Sequence, residues 1–266
     1  MNNINGYIEV NGVIYKITSA EDLKNLALGL GKEFKELSFK EIVEMCSNHS
    51  REATTDDCGI VYNDKKVLWR ANASGIYMKQ YKVLDGTLAI ENEAFYNYWE
   101  NNNKLSSEPS PRNVEKIYLP ASLLAIGYYA FKDNVLHKIN LPDSIRYIGD
   151  GAFQNTDLRL KLLKMPERLQ YLGANAFENN KQIENVVFLD GITKICSHSF
   201  KGCSSLVFAY LPASLVEIGS GIFDDCPNFK SIFIPRGSME KFKGFFPFDT
   251  DKLVEVDKVP TFEEEY

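Results

Sequence analysis

A pattern that recurs at nearly constant spacing constrains this chain more than any other feature. It reads Ile139-Asn-Leu-Pro-Asp-Ser-Ile-Arg-Tyr-Ile-Gly-Asp-Gly-Ala-Phe153, and it returns as Ile117 to Phe131, Leu163 to Phe177 and Ala209 to Phe223. Two further copies are degenerate. Val186 to Phe200 carries Leu189 in the proline slot and Cys196 in the glycine slot, and Val83 to Phe95 carries Leu84 and Glu91 there. The closing phenylalanines Phe131, Phe153, Phe177, Phe200 and Phe223 lie 22, 24, 23 and 23 residues apart. Self-similarity at such a period marks a coil that cannot bury its apolar face alone and must stack on copies of itself.

Each unit has a physical reading. Leu136, Ile139 and Leu141 precede Pro142, and the last two alternate with the period of a strand. Proline, lacking an N–H for a ladder, ends that strand. Ile145 and Ile148 continue the apolar set, Gly149 is expected to permit a tight bend, and Ala152-Phe153 closes the coil. The third unit has an ambiguous register, because Leu158, Leu160 and Leu162 offer alternative inward sets.

The pattern L-x-x-I-x-L-P-x-S-L-x-x-I-G-x-x-A-F resembles the BspA-type leucine-rich repeat family over roughly residues 81 to 243. The ending Ile234-Pro-Arg-Gly-Ser-Met-Glu-Lys-Phe242 is similar to that family's terminal unit, in which a short capping helix replaces the next coil. The resemblance implies an α/β repeat solenoid, a right-handed leucine-rich-repeat coil with a parallel β-sheet on one face. It further implies an adhesin-like protein of the bacterial surface that binds host proteins or other cells, with no shared catalytic residues. The reading divides the chain into a small α+β N-terminal cap or domain (1–57), the solenoid (58–235) and a C-terminal cap and tail (236–266).

The N-terminal region does not follow the repeat. Tyr7 to Val10 and Val13 to Ile17 flank Asn11-Gly12, a two-residue hairpin signal. Thr18-x-x-Glu21 and Ser19-x-x-Asp22 open a helix with Leu23, Leu26, Ala27 and Leu30. Ser38-x-x-Glu41 opens another with Ile42, Val43, Met45 and Cys46 on its apolar side. Residues 47 to 57 read as a polar linker. Beyond them a second hairpin (Gly59 to Tyr62, Lys66 to Trp69) and a strand from Tyr77 to Val83 lead into the first repeat.

Two features are candidates for a binding surface. Between Phe95 and Phe131 the interval is 36 residues, so about thirteen extra residues interrupt the array, among them Tyr98 and Trp99. They anchor a partner or pack on the adjacent coil. The second feature is the outward column of the pre-proline strand. Counting two residues before each proline slot gives Tyr118, Asn140, Lys164, Val187, Tyr210 and Phe233; counting four gives Lys116, Lys138, Leu162, Asn185, Phe208 and Ser231. Toward the C-terminus this column becomes apolar, and a contiguous exposed apolar patch marks an interaction site. The candidate partner-binding residues are therefore Tyr118, Val187, Phe208, Tyr210, Phe233, Tyr98 and Trp99. The alternative is that the tail, Phe245-Phe-Pro-Phe248 with Leu253-Val-Glu-Val256, folds back and covers the patch, or that a second copy does.

Catalytic chemistry is thin. Cys196-Ser-His198 with Cys203 has the residue types of a metal or thiol site, yet Cys196 fills the glycine slot and Cys203 recurs as Cys226, so their spacing is the repeat's own. No catalytic residue, metal or cofactor is assigned. Five cysteines, an odd number, do not read as a disulfide framework. Cys203 and Cys226 are expected as buried thiols, and pairing of Cys46 with Cys58 is left open. A net charge of −6 disfavours a nucleic-acid partner. No apolar run reaches membrane-spanning length, and the sequence as given starts without a signal peptide, so the compartment stays open between the cell surface and the cytoplasm. The reading favours a non-catalytic protein-binding scaffold. Two alternatives stand beside it: a small-molecule or enzymatic role for the N-terminal unit with the solenoid as targeting arm, and a structural protein that self-associates.

Overall fold

Two parallel ladders and a column of tight corners build the protein, seen in a computed structural model that describes residues 6–10, 13–17, 37–47, 53–55, 60–63, 67–71, 78–96 and 114–261. Each coil contributes one strand before its proline and one after it. The post-proline strands Ala89–Ile90, Ala125–Ile126, Tyr147–Ile148, Tyr171–Leu172, Lys194–Ile195 and Glu217–Ile218 pair in parallel and in register. Val67–Ala71, Ile60–Asn63 and Ala53–Thr55 extend them into a sheet of nine strands. The expected single sheet is thus accompanied by a second ladder, itself interrupted, and helix is scarce among the described residues.

The corners carry the core. Phe95, Phe131, Phe153, Phe177 and Phe200 are fully buried and stack face to face, with centroids 5.1, 5.2, 5.0 and 5.3 Å apart. Burying each ring contributes roughly 1.5–3 kcal/mol, and each stacked pair about 0.5–1.5 kcal/mol more. Backbone hydrogen bonds hold the rings in step: Phe131 N–H donates to Ala152, Phe153 N–H to Ala176 and Phe177 N–H to Ser199, each at 2.8 Å.

Three repeat positions have causes the pattern alone did not reveal. The conserved offset at Gly149 is not set by a special bend, since its φ is not positive. It is set by close approach: a Cβ there would lie 2.6 Å from the Tyr128 backbone nitrogen of the preceding coil. Left-handed positions instead flank the phenylalanines: two residues before, at Glu93, Tyr129, Gly151, Asn175, His198 and Gly221, with φ between 52° and 62°, and two residues after, at Asp133, Asn155, Asn179, Gly202 and Asp225. Third, the serine two after the proline ties adjacent coils: Ser122 Oγ donates to Thr87 O, Ser144 Oγ to Leu123 O and Ser214 Oγ to Ile192 O, at 2.7–2.8 Å.

Cys203 and Cys226 occupy the slot three after the phenylalanine, which Asn134, Thr156 and Asn180 fill in other coils. Thr156 Oγ1 donates to Phe153 O in its own coil at 3.0 Å, whereas the other four side chains satisfy the phenylalanine carbonyl of the preceding coil. Asn134 Nδ2 donates to Phe95 O at 3.1 Å, Asn180 Nδ2 to Phe153 O at 2.7 Å, Cys203 Sγ to Phe177 O at 3.3 Å and Cys226 Sγ to Phe200 O at 3.2 Å. Both thiols are free, and burial pushes Cys226 up to about 11 and Cys203 further.

At the N-terminal end, Gly6–Val10 and Val13–Ile17 form the expected antiparallel hairpin, with Val10 opposite Val13. The helix Phe39–Met45 starts on the expected capping box: Ser38 Oγ accepts from the Glu41 N–H, and the Glu41 carboxylate accepts from the Ser38 N–H at 2.9 Å. Leu37, Ile42, Met45 and Cys46 pack on Leu88, Ala89, Leu124 and Ala125, so small residues in the sheet make room for the helix. Cys46 is a buried free thiol; Cys58 and the helix expected from Thr18 lie outside the described residues. The stretch expected as a linker contains the strand Ala53–Thr55, paired antiparallel with Ile60–Asn63; Thr54 and Thr55 are β-branched and suit a ladder. At the other end, helix Met239–Phe245 seals the core with Phe242, and Phe246 stacks on Phe223 at 6.4 Å.

Candidate partner-binding face

The pre-proline strands turn one side to the core and the other outward. Leu163–Lys164, Asn185–Val187, Phe208–Tyr210, Ser231–Pro235 and Leu253–Val256 form one parallel sheet in that order. Leu163, Val186, Ala209, Ile232 and Leu253 align along its inner side and belong to the core. Lys164, Val187, Tyr210, Phe233 and Val254 align along its outer side, with Asn185, Phe208 and Ser231 beside them.

The expected alternation is present, but exposure along the column is uneven. Val187 is 4% and Tyr210 7% exposed although neither belongs to the core cluster. In-register neighbours flank each on both sides, and this corrects the expectation of two open side chains. Burial, with the charge of Asp190, raises the Tyr210 phenol above its ordinary range. The reachable apolar surface lies around them: Phe208 and Phe233 are half-buried, with rings 5.4 Å apart, and Val254 is 38% exposed. Val254 was missed in the outward count because it lies past the last repeat, although the alternation of Leu253-Val-Glu-Val256 was its signal. The tail does not lie across the patch at these residues. It pairs edge-on as a further strand and lengthens the column, while Phe248 stands 95% exposed at the cap.

Tyr118 is 38% exposed and sits on a separate part of the face. Its strand Val114–Tyr118 pairs with Met78–Lys82 and Lys138–Ile139, and the Lys116 ammonium lies 4.7 Å from its ring centroid. The structure therefore does not bring Tyr118 together with Phe208 and Phe233 in one patch. Tyr98 and Trp99 lie outside the described residues.

The Cys196, His198 and Cys203 triplet forms no site. Cys203 is buried on Phe177 O, His198 holds a left-handed backbone position, and the half-buried Cys196 thiol lies beside the Tyr171 phenol. Among the described residues no cluster of three or more His, Cys, Asp or Glu could hold a metal, and no helix is long and apolar enough to cross a membrane.

A family model described as the BspA type leucine rich repeat region matches residues 89–230 and 171–256, with six copies. The chain belongs to the BspA-type leucine-rich repeat family. No curated protein sequence matches it. Among solved structures, BspA-type chain and the pneumococcal vaccine antigen PcpA superpose with a TM-score of 0.55 at 16% identity, over 90% of this chain and 52% of the antigen. The chain thus spans about half the length of that antigen. The T. pallidum leucine rich repeat protein TpLRR gives a TM-score of 0.45 at 20% identity, over 69% of this chain and 82% of its own. A leucine rich cell surface protein from Faecalibacterium prausnitzii gives 0.30 at 17% identity, over 85% and 76%. At these identities the likeness to PcpA concerns the fold, a parallel-strand solenoid.

Proposed function

We propose that this chain is a non-catalytic protein-binding scaffold, adhesin-like and displayed at the bacterial surface, that grips a host extracellular or cell-surface protein through its outer sheet face. One observation carries the reading: Phe208, Phe233 and Val254 form an apolar rim around Val187 and Tyr210 on the side of the sheet turned away from the core. Aromatic side chains held by a rigid scaffold lose little freedom on binding and are typical interface anchors. Tyr118 and the insertion residues Tyr98 and Trp99 are assigned supporting contacts. The vaccine antigen PcpA among the structural neighbours supports the surface placement.

Residues 1–57 are read as a cap. The apolar side of Phe39–Met45 lies on the first coils, and a 1–55 fragment is expected not to fold alone. A pull-down from extracellular matrix and from cell lysate, with wild type beside Phe208→Ser/Phe233→Ser, tests the function. Loss of a specific band with the double variant is expected; a band of unchanged intensity would move the contact away from this face.

A further inference from the structure

The third coil breaks the outer ladder. Leu158 and Leu163 both point inward and are five positions apart, whereas the equivalent Leu136 and Ile139 are three apart, so two extra residues must leave the sheet. Arg159–Leu160 is diverted to pair with Gln182–Ile183. In consequence Lys138–Ile139 ends one sheet and Leu163–Lys164 begins another, with no pairing between them.

On the near side of this break, over the first sheet and the diverted segment, lies a groove of about 710 Å³ whose walls include Lys116, Lys138, Arg159, Lys161, Tyr118 and Leu162. Four cations and no carboxylate line it among the described residues, in a chain whose net charge is −6. One of the four, Arg159, is paired with Asp157 at 2.7 Å, and Asp157 also lies 3.2 Å from His137; Glu167 lies 3.7 Å from Lys164, outside the groove. Lys116 stands over the Tyr118 ring, and neither it nor Lys138 has a carboxylate partner among the described residues.

The geometry points to a second binding site, a groove that takes an acidic, extended polypeptide segment along the interrupted end of the first sheet, between Lys138–Ile139 and the diverted residues 159–162. Charge complementarity selects the acidic side chains. The Lys138–Ile139 strand, the last of its sheet, selects a polypeptide, whose main chain can hydrogen-bond to an edge as an added strand does. Ile139, Leu160 and Leu162, each only partly buried, give apolar wall to the residues that alternate with the acidic ones. The site does not depend on the apolar rim around Tyr210.

Fluorescence anisotropy of the full chain with a labelled peptide of alternating glutamate and valine, at low ionic strength, tests it. Saturable binding is expected. Lys116→Gln/Lys138→Gln should weaken it by about tenfold or more, because both point charges are lost, while the urea midpoint stays unchanged. Phe208→Ser/Phe233→Ser should leave it intact, which separates this site from the proposed function. No saturable binding, equal binding of a glutamine-for-glutamate peptide, or equal binding by the lysine variant would overturn the proposal. Preference for a sulfated heparin fragment over the peptide would overturn it in favour of a glycan site.

Discussion

The corner of each coil and its outer strand are made by the same repeat, yet they are constrained very differently. At the corner, five phenylalanine rings keep a spacing of 5.0–5.3 Å and every coil adopts a left-handed residue two positions before the ring. On the outer strand, equivalent positions hold Lys164, Val187, Tyr210, Phe233 and Val254. The corner is fixed because each coil meets an identical neighbour there. The outer face meets no other coil, so its chemistry is free to serve a partner.

That contrast can be broken most forcefully at the corner. Phe153→Ala removes the ring between Phe131 and Phe177 and should cost about 3–5 kcal/mol, read from urea unfolding. Gly149→Ala forces a Cβ against the Tyr128 backbone and should cost about 1–3 kcal/mol in the same assay. Phe233→Ser on the outer face loses its ring pair with Phe208 and should lower stability by only about 1 kcal/mol. In the opposite direction, His198→Gly relieves a left-handed backbone and should raise stability by about 0.5–1 kcal/mol. Smallest in energy is a test by thiol labelling of the folded chain near neutral pH: the half-exposed Cys196 should react before Cys226, and Cys203 last.

The corner was legible because its requirements are chemical and recur: a small residue, a ring and a glycine at fixed offsets. The N-terminal hairpin and the capping box at Ser38 were legible for the same reason, since local geometry demands those residue types. The outer face was legible in direction and not in exposure. Alternation placed Val187 and Tyr210 outward, but their cover comes from neighbours one coil away, and only the assembled sheet supplies it. The insertion in the third coil was hidden because Leu158, Leu160, Leu162 and Leu163 are all apolar and any could be inward. The contact of Phe39–Met45 with Ala89 and Ala125 joins distant segments, and no local pattern announces it.

The most direct measurement pairs stability with partner capture on two variants of the full chain, Phe153→Leu and Phe208→Ser/Phe233→Ser. The account predicts that the first lowers the urea midpoint and, below that midpoint, still captures the partner, whereas the second keeps a near-native midpoint and loses capture. Capture retained by the face variant, or lost by the corner variant while it remains folded, would contradict the division of labour between corner and face.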